Sequence, residues 1–149
     1  INKNPKPYKK KLNQHNINLK QPILLSTFHR RETFGEPLNQ ICKALQVIAK
    51  KFPKTQIVHL IHPNPNIQST LKQLQNIHNI HLLPPINYPE IIYLMKHCTL
   101  ILTDSGGIQE EGPTFNIPIL VLRNVTERTE GIKAGTATLI GTKTKKACE

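Results

Sequence analysis

The chain has 149 residues, of which 20 are Lys or Arg and 9 are Asp or Glu, and 38% are hydrophobic. This length predicts one ordinary globular domain, which needs no disulfide or structural metal to fold. The three Cys residues are widely spaced and form no Cys-x-x-Cys pair, a pattern that favours the cytoplasm over secretion. Because the sequence contains neither a long apolar run nor the apolar core of a signal peptide, we expect a protein that is neither anchored nor exported.

The net charge of +11 is unevenly distributed, because residues 1–22 contain six Lys and no acidic residue. This segment is rich in Lys, Asn and Pro, so we expect a basic linker or irregular lead-in. An arm that binds nucleic acid is the alternative. Aromatic residues make up only 5% of the chain, which leaves bases little to stack on and argues against that partner.

Beyond residue 22, short apolar runs alternate with longer segments of helical periodicity. The runs lack period-two alternation, as is typical of strands that are covered on both faces, and they span residues 23–27, 56–61, 80–83, 99–103, 117–122 and 137–140. Apolar spacing predicts helices beginning near Pro37, Pro65 and Pro89, and a shorter helix near Gly107. The order predicts an α/β fold, a Rossmann-like three-layer domain with a mostly parallel six-stranded sheet.

In such sheets, ligands bind outside the carboxyl ends of the strands, so the residues that follow each strand are the candidate site. After the first strand, His29 is placed to act as a catalytic acid, and Arg30 and Glu32 are candidate substrate-binding residues. A simple surface ion pair between Arg30 and Glu32 is the alternative. After the second strand, two prolines stiffen the loop that contains His62 and Asn64, although an ordinary turn fits equally well.

The segment after the fourth strand, residues 103–111, carries the sharpest signal. Gly106 and Gly107 stand between a buried strand and a helix start, where a phosphate can approach bare main-chain N–H groups. Asp104 or Ser105 as a plain helix cap is the alternative. Glu111 lies one turn farther along and has two oxygens with which to accept both hydroxyls of a ribose, or else it is an ordinary partner of the helix dipole.

After the fifth strand, Arg128 is placed to clamp a phosphate from the opposite side, with an exposed cluster of ion pairs as the alternative. Two His-x-x-His pairs, at 59 and 62 and at 78 and 81, also occur. Residues three apart on a strand point to opposite faces, so we expect no metal site.

Four motifs in this order, HRRE (29–32), HPNPN (62–66), LTDSGGIQEE (102–111) and TERTEGIKAGT (126–136), closely resemble the C-terminal half of the non-hydrolysing UDP-N-acetylglucosamine 2-epimerases. The resemblance covers about residues 23–142. It implies the second domain of a glycosyltransferase-B type fold. It also implies interconversion of UDP-N-acetylglucosamine and UDP-N-acetylmannosamine by elimination and re-addition of UDP, with no cofactor and no metal.

The resemblance also implies roles for individual residues. The diphosphate would be held by Ser105, Gly106 and Gly107, the ribose by Glu111, and the phosphates by Arg128. His29 would lie near the reacting centre, and the uracil pocket would fall at Ile86 and Ile91. In bacterial relatives the positions of Arg30 and His62 also line a second, regulatory UDP-sugar site.

The same resemblance implies the domain boundaries. We expect residues 23–142 to be the UDP-sugar-binding domain and residues 143–149 to be a truncated tail. The family takes its catalytic carboxylates from an N-terminal domain that this sequence lacks, and a homodimer is expected for the full-length protein. Gly112 replaces the alanine usual in the family and Thr129 the proline, changes expected to loosen the helix and the loop. A UDP-sugar glycosyltransferase domain is the alternative function.

Overall fold

Six parallel strands form the middle layer of the fold in the computed structural model, which describes residues 5–123, 126 and 129–141. The strands are β1 (Ile23–Thr27), β2 (Gln56–Leu60), β3 (Ile80–Leu83), β4 (Leu100–Thr103), β5 (Ile119–Val121) and β6 (Ala137–Leu139). The helices are α1 (Lys6–Gln14), α2 (Glu36–Lys51), α3 (Pro65–Leu71), α4 (Tyr88–His97), α5 (Gly106–Glu111) and α6 (Thr129–Lys133). Short 3-10 turns occupy Arg31–Thr33, Lys72–Leu74 and Gly112–Phe115.

The predicted α/β fold with a three-layer, six-stranded sheet is confirmed, and every strand pair is parallel. The strand order is β3-β2-β1-β4-β5-β6, so the order reverses between β1 and β4. The predicted strand at 117–122 was too long. Pro118 has no N–H to donate to a ladder, and β5 begins at the next residue, Ile119.

Strands β1 to β5 each contribute side chains to two separate cores, one on each face of the sheet. Leu25 and Ile101 belong to the core under α4, whereas their neighbours Leu24 and Leu102 belong to the core under α2. This double burial explains why the strands read as continuous apolar runs.

Local signals account for the starts of the helices that flank the sheet. Pro37 stands in the first turn of α2. The side chain of Asn64 caps α3 by accepting a hydrogen bond from the N–H of Asn66 at 2.9 Å. At α4, Asn87 and Glu90 form a reciprocal capping box, so the first turn of this helix has a defined position.

The expectation of an irregular lead-in over residues 1–22 was wrong where the structure describes this segment. Residues 6–14 form α1, and Leu12 and Ile17 are buried in the core beside α4. Lys11 Nζ lies 2.7 Å from Glu90 Oε1 in α4. Few residues of this segment are apolar, but Leu12 and Ile17 meet partners contributed by distant parts of the chain. Residues 142–149, which include the expected tail, lie outside the described residues.

The reversal of strand order places the loops after β1 and β4 side by side. Parallel α/β sheets form a crevice at such a point, because successive crossovers run to opposite faces. Within the described part of the chain, no helix combines the length and apolar character needed to cross a bilayer.

Candidate functional site

A cleft of about 350 Å³ opens where the loops after β1, β2, β3 and β4 meet. Seven of the predicted site residues line it, namely His29, His62, Ile86, Ile91, Ser105, Gly107 and Glu111. They come from four separate segments of the chain. The sheet brings these segments together because all of its strands run in the same direction.

The glycine turn forms one wall of the cleft. Ser105 is the N-cap residue of α5 but makes no side-chain capping bond, and its own N–H donates to Thr103 Oγ1 at 2.9 Å. The first N–H groups of a helix have no partner within the helix, so the start of α5 offers donors to a ligand. Gly107 is exposed, and a Cβ placed there would meet only Ser105 Oγ, at 3.9 Å. A bulky anion therefore has room to reach the main chain.

The sequence left Asp104 as a possible cap of α5. In the structure it instead joins the two loops of the crevice. Its carboxylate is fully buried and accepts hydrogen bonds from the N–H of His29, from the N–H of Arg30 at 3.0 Å and from Thr33 Oγ1 at 2.8 Å. Sequence reasoning missed this role because all three donors lie more than 70 positions away. The signal in the sequence was an acidic residue directly after a buried strand, because a buried carboxylate must accept hydrogen bonds from nearby donors.

Arg30 and Glu32 are not among the residues that line the cleft. Arg30 Nε donates to the carbonyl of Asp104 at 2.9 Å, and its Nη1 lies 3.8 Å from Glu32 Oε1. Glu32 also lies 3.7 Å from Nε of Arg123. The surface ion pair between Arg30 and Glu32 that the sequence left as an alternative is therefore present, and Arg123 contacts the same carboxylate.

His29 and His62 lie next to each other at the mouth of the cleft. Their rings stack with centroids 5.8 Å apart. His29 Nδ1 is 3.4 Å from Asp104 Oδ1, so a proton on Nδ1 faces the carboxylate and Nε2 remains for a ligand. His62 Nδ1 lies 3.3 Å from the N–H of Asn64, so it accepts when its own proton is on Nε2. The pair can therefore exchange protons with, or donate hydrogen bonds to, a group in the cleft.

Glu111 has a partner that sequence reasoning missed. The Tyr88 hydroxyl, at the start of α4, donates to the Glu111 carboxylate and lies 2.7 Å from each of its oxygens. The pKa of Tyr88 is raised, mainly because of this hydrogen bond, so the phenol keeps its proton. Both residues line the cleft. The signal in the sequence was a tyrosine following the third strand, at the same sheet edge as Glu111.

The opposite wall is apolar. Ile86 and Ile91 are half-buried, and behind them Ile92 and Met95 are part of the core. These side chains offer dispersion contacts and few polar groups to a flat ring. Arg128, expected to clamp phosphates, lies outside the described residues.

No three His, Cys, Asp or Glu side chains gather as a metal site within residues 5–123, 126 and 129–141. His59 is fully buried, its Nδ1 lies 3.0 Å from Ser26 Oγ and its ring packs at a tilt against Phe28, whereas His62 lines the cleft. Burial lowers the pKa of His59 to about 3, so the ring is neutral. Burial also raises the pKa of both described cysteines, Cys42 and Cys98, to about 12, which makes them poor nucleophiles.

A family model and the relatives described below name the same family. A model of the UDP-N-acetylglucosamine 2-epimerase family matches residues 2–149. The UDP-N-acetylglucosamine 2-epimerase of Campylobacter jejuni is 48% identical over 145 residues, which are 93% of this chain and 38% of that protein.

Solved structures show the same likeness. The crystal structure of UDP-GlcNAc 2-epimerase from Neisseria meningitidis bound to UDP-GlcNAc has a TM-score of 0.89 and 40% identity, over 95% of this chain and 39% of that chain. The enzyme from Methanocaldococcus jannaschii, in complex with UDP-GlcNAc and UDP, has a TM-score of 0.84 and 30% identity, over 98% and 40% of the two chains. The chain thus spans about two fifths of the length of these relatives. It belongs to the UDP-N-acetylglucosamine 2-epimerase family.

Proposed function

We propose that this chain is the UDP-binding C-terminal part of a UDP-N-acetylglucosamine 2-epimerase. The observation that carries the proposal is the uncapped glycine turn at the end of β4, which shares one cleft with His29 and Glu111. Neutral ligands have no need of such a turn, whereas a diphosphate is matched by converging N–H donors and by the positive end of a helix.

Each part of the nucleotide has a counterpart in the cleft. The diphosphate lies against Ser105, Gly106 and Gly107, and the ribose hydroxyls meet the carboxylate of Glu111. The uracil lies along the apolar wall at Ile86 and Ile91, where main-chain groups read its edge. In this proposal the sugar lies beyond the diphosphate.

The same geometry suits departure of UDP from the sugar. Negative charge grows on the leaving phosphate, and fixed N–H donors at the glycine turn stabilise it where it develops. The family resemblance also assigns Arg128, which lies outside the described residues, to the phosphates. His29 lies near the reacting carbon, as donor to the departing group or as a proton carrier, with its Nδ1 directed by Asp104.

Inversion at C2 also requires a base, and Glu111 in the cleft and Asp104 beside it both already accept hydrogen bonds. Asp104 is fully buried and accepts three hydrogen-bond donors, while Glu111 accepts the Tyr88 hydroxyl. We infer that the base comes from an N-terminal domain that closes over the sugar. The chain alone therefore binds UDP weakly and does not epimerise UDP-N-acetylglucosamine.

Further proposals concern the whole enzyme. We propose a homodimer for the full-length protein, in which the residues equivalent to 23–142 form the UDP-sugar-binding domain. Cys42 and Cys98 are buried and free, as in proteins of a reducing compartment, and we place the enzyme in the cytoplasm on that basis.

Titration of UDP into the chain, followed by ligand-observed NMR, tests the binding site. A side chain added at Gly107 is tolerated by the fold, since its Cβ would meet only Ser105 Oγ at 3.9 Å. Gly107→Val fills the space next to the turn, and we expect it to abolish UDP binding while the melting temperature is kept. The control variant Glu110→Gln, at an exposed position later in the same helix, should bind UDP as the wild type does. Equal UDP affinity for Gly107→Val and the wild type would show that the diphosphate does not bind at this turn.

A UDP-sugar glycosyltransferase would use a similar cleft, so the product separates the two functions. Fused to the N-terminal domain of a relative, the chain should convert UDP-N-acetylglucosamine into UDP-N-acetylmannosamine without an acceptor. Release of UDP only in the presence of a sugar acceptor would indicate the transferase instead.

A further inference from the structure

The contact between Tyr88 and Glu111 joins two elements across the rim of the cleft. Tyr88 is the first residue of α4, and Glu111 is the last residue of α5. The Tyr88 side chain is 59% exposed overall, yet its hydroxyl lies 2.7 Å from both carboxylate oxygens of Glu111. A large exposed aromatic residue thus donates its hydroxyl proton to a carboxylate of the proposed site.

The position of Tyr88 is set by a chain of contacts behind it. The capping box between Asn87 and Glu90 defines the first turn of α4, and Lys11 of α1 lies 2.7 Å from Glu90. Burial raises the pKa of Glu90, but the bonds from Lys11 and from the Asn87 N–H outweigh it and the net shift is downward. Glu90 is therefore an anion, and the capping box together with the contact from α1 defines the first turn of α4, which carries Tyr88.

A single phenol proton does not saturate the carboxylate. An ionised carboxylate has about four lone-pair sites, and one O–H donor shared between both oxygens leaves the outer sites for two further hydroxyls. A glutamate at the end of a helix otherwise samples several rotamers, and fixing such a side chain costs conformational entropy. Tyr88 holds Glu111 in one rotamer before the ligand arrives.

We propose that Tyr88 is a specificity-determining positioning residue, which orients the Glu111 carboxylate toward the 2′- and 3′-hydroxyls of ribose and so favours ribonucleoside over 2′-deoxyribonucleoside diphosphates. The inference rests on the proposed function, since it requires a nucleoside diphosphate in the cleft. Tyr88 acts through Glu111 and does not itself take part in the reaction.

The test compares the affinities of the chain for UDP and for 2′-deoxyuridine diphosphate by ligand-observed NMR titration. We expect the wild type to bind UDP about tenfold more tightly, and Tyr88→Phe to reduce that ratio to about threefold. Glu111→Ala should bring the ratio near one, and adding Tyr88→Phe to that variant should change nothing further. Tyr93→Phe is the matched control, because Tyr93 belongs to the same helix but does not line the cleft and contacts Tyr8 and His97 instead.

The outcomes separate the inference from the proposed function. If the chain binds UDP but Tyr88→Phe keeps the wild-type ratio, the inference is overturned and the UDP site stands. If Tyr88→Phe weakens UDP and its deoxy analogue equally, Tyr88 contributes to binding without selecting the sugar, which also overturns the inference. If the wild type binds neither nucleotide, the proposed function fails and the inference fails with it.

Discussion

Substitution of Gly112 by alanine is expected to destabilise the fold through one contact. Gly112 is buried directly after α5, and a Cβ built on it would lie 2.3 Å from Cδ1 and 3.0 Å from Cγ1 of Ile119. Carbon atoms pack without strain at about 3.5–4.0 Å, so the Ile119 side chain must move by more than an ångström. Ile119 is only 1% exposed, so it has little space into which to move.

Two opposing effects set the magnitude of the change. Overpacking of a core costs about 1–3 kcal/mol, whereas replacing glycine in a helix-like conformation returns about 0.4–1 kcal/mol through the unfolded chain. We expect Gly112→Ala to lower the free energy of unfolding by about 1–2 kcal/mol. Ile119→Val removes Cδ1 and by itself costs about 0.5–1.5 kcal/mol. In that background Gly112→Ala should be close to neutral. The loss of unfolding free energy in the double variant should therefore be smaller than the sum of the losses in the two single variants.

Urea unfolding monitored by circular dichroism measures all four members of this double-mutant cycle. Gly107→Ala serves as the matched glycine control, because its Cβ would meet nothing closer than Ser105 Oγ at 3.9 Å, and its stability should not fall. The packing argument would be refuted if Gly112→Ala lowered the free energy of unfolding equally in the wild type and in the Ile119→Val background. A Gly112→Ala variant as stable as the wild type would also refute it.

Two further predictions concern groups that the proposed function does not use. The ordinary pKa of His59 is 6.5 and burial lowers it to about 3, so the folded state stays neutral while the unfolded chain takes up a proton below pH 6.5. The free energy of unfolding should therefore fall from pH 6.5 toward 3, by up to about 1.4 kcal/mol per pH unit. Between pH 7 and 5, His59→Gln should lose about 2 kcal/mol less unfolding free energy than the wild type. Parallel profiles of unfolding free energy against pH for the two proteins would contradict this. Leu12→Ala should lower the free energy of unfolding by about 2–4 kcal/mol, because Leu12 is only 5% exposed. A urea midpoint equal to that of the exposed-site control Asn13→Ala would show that α1 contributes nothing to the fold.

Features that depend on neighbouring residues were accessible from the sequence. Continuous apolar runs indicated strands buried on both faces, and prolines at the first turns marked where α2, α3 and α4 begin. The alternation of these runs with helical segments predicted the fold class, and the ordered motifs, including the glycine turn after β4, indicated the family. These signals are local because backbone conformation and periodic burial are properties of short segments.

Tertiary structure decided which distant groups meet. The sequence contains Asp104 and Tyr88 plainly, but their partners, the N–H of His29 and the carboxylate of Glu111, lie 75 and 23 positions away. The lead-in was misjudged for the same reason, since Leu12 and Lys11 become structural only against α4. Composition describes how a segment behaves in water, whereas burial and hydrogen bonding depend on the groups that the folded chain places around it.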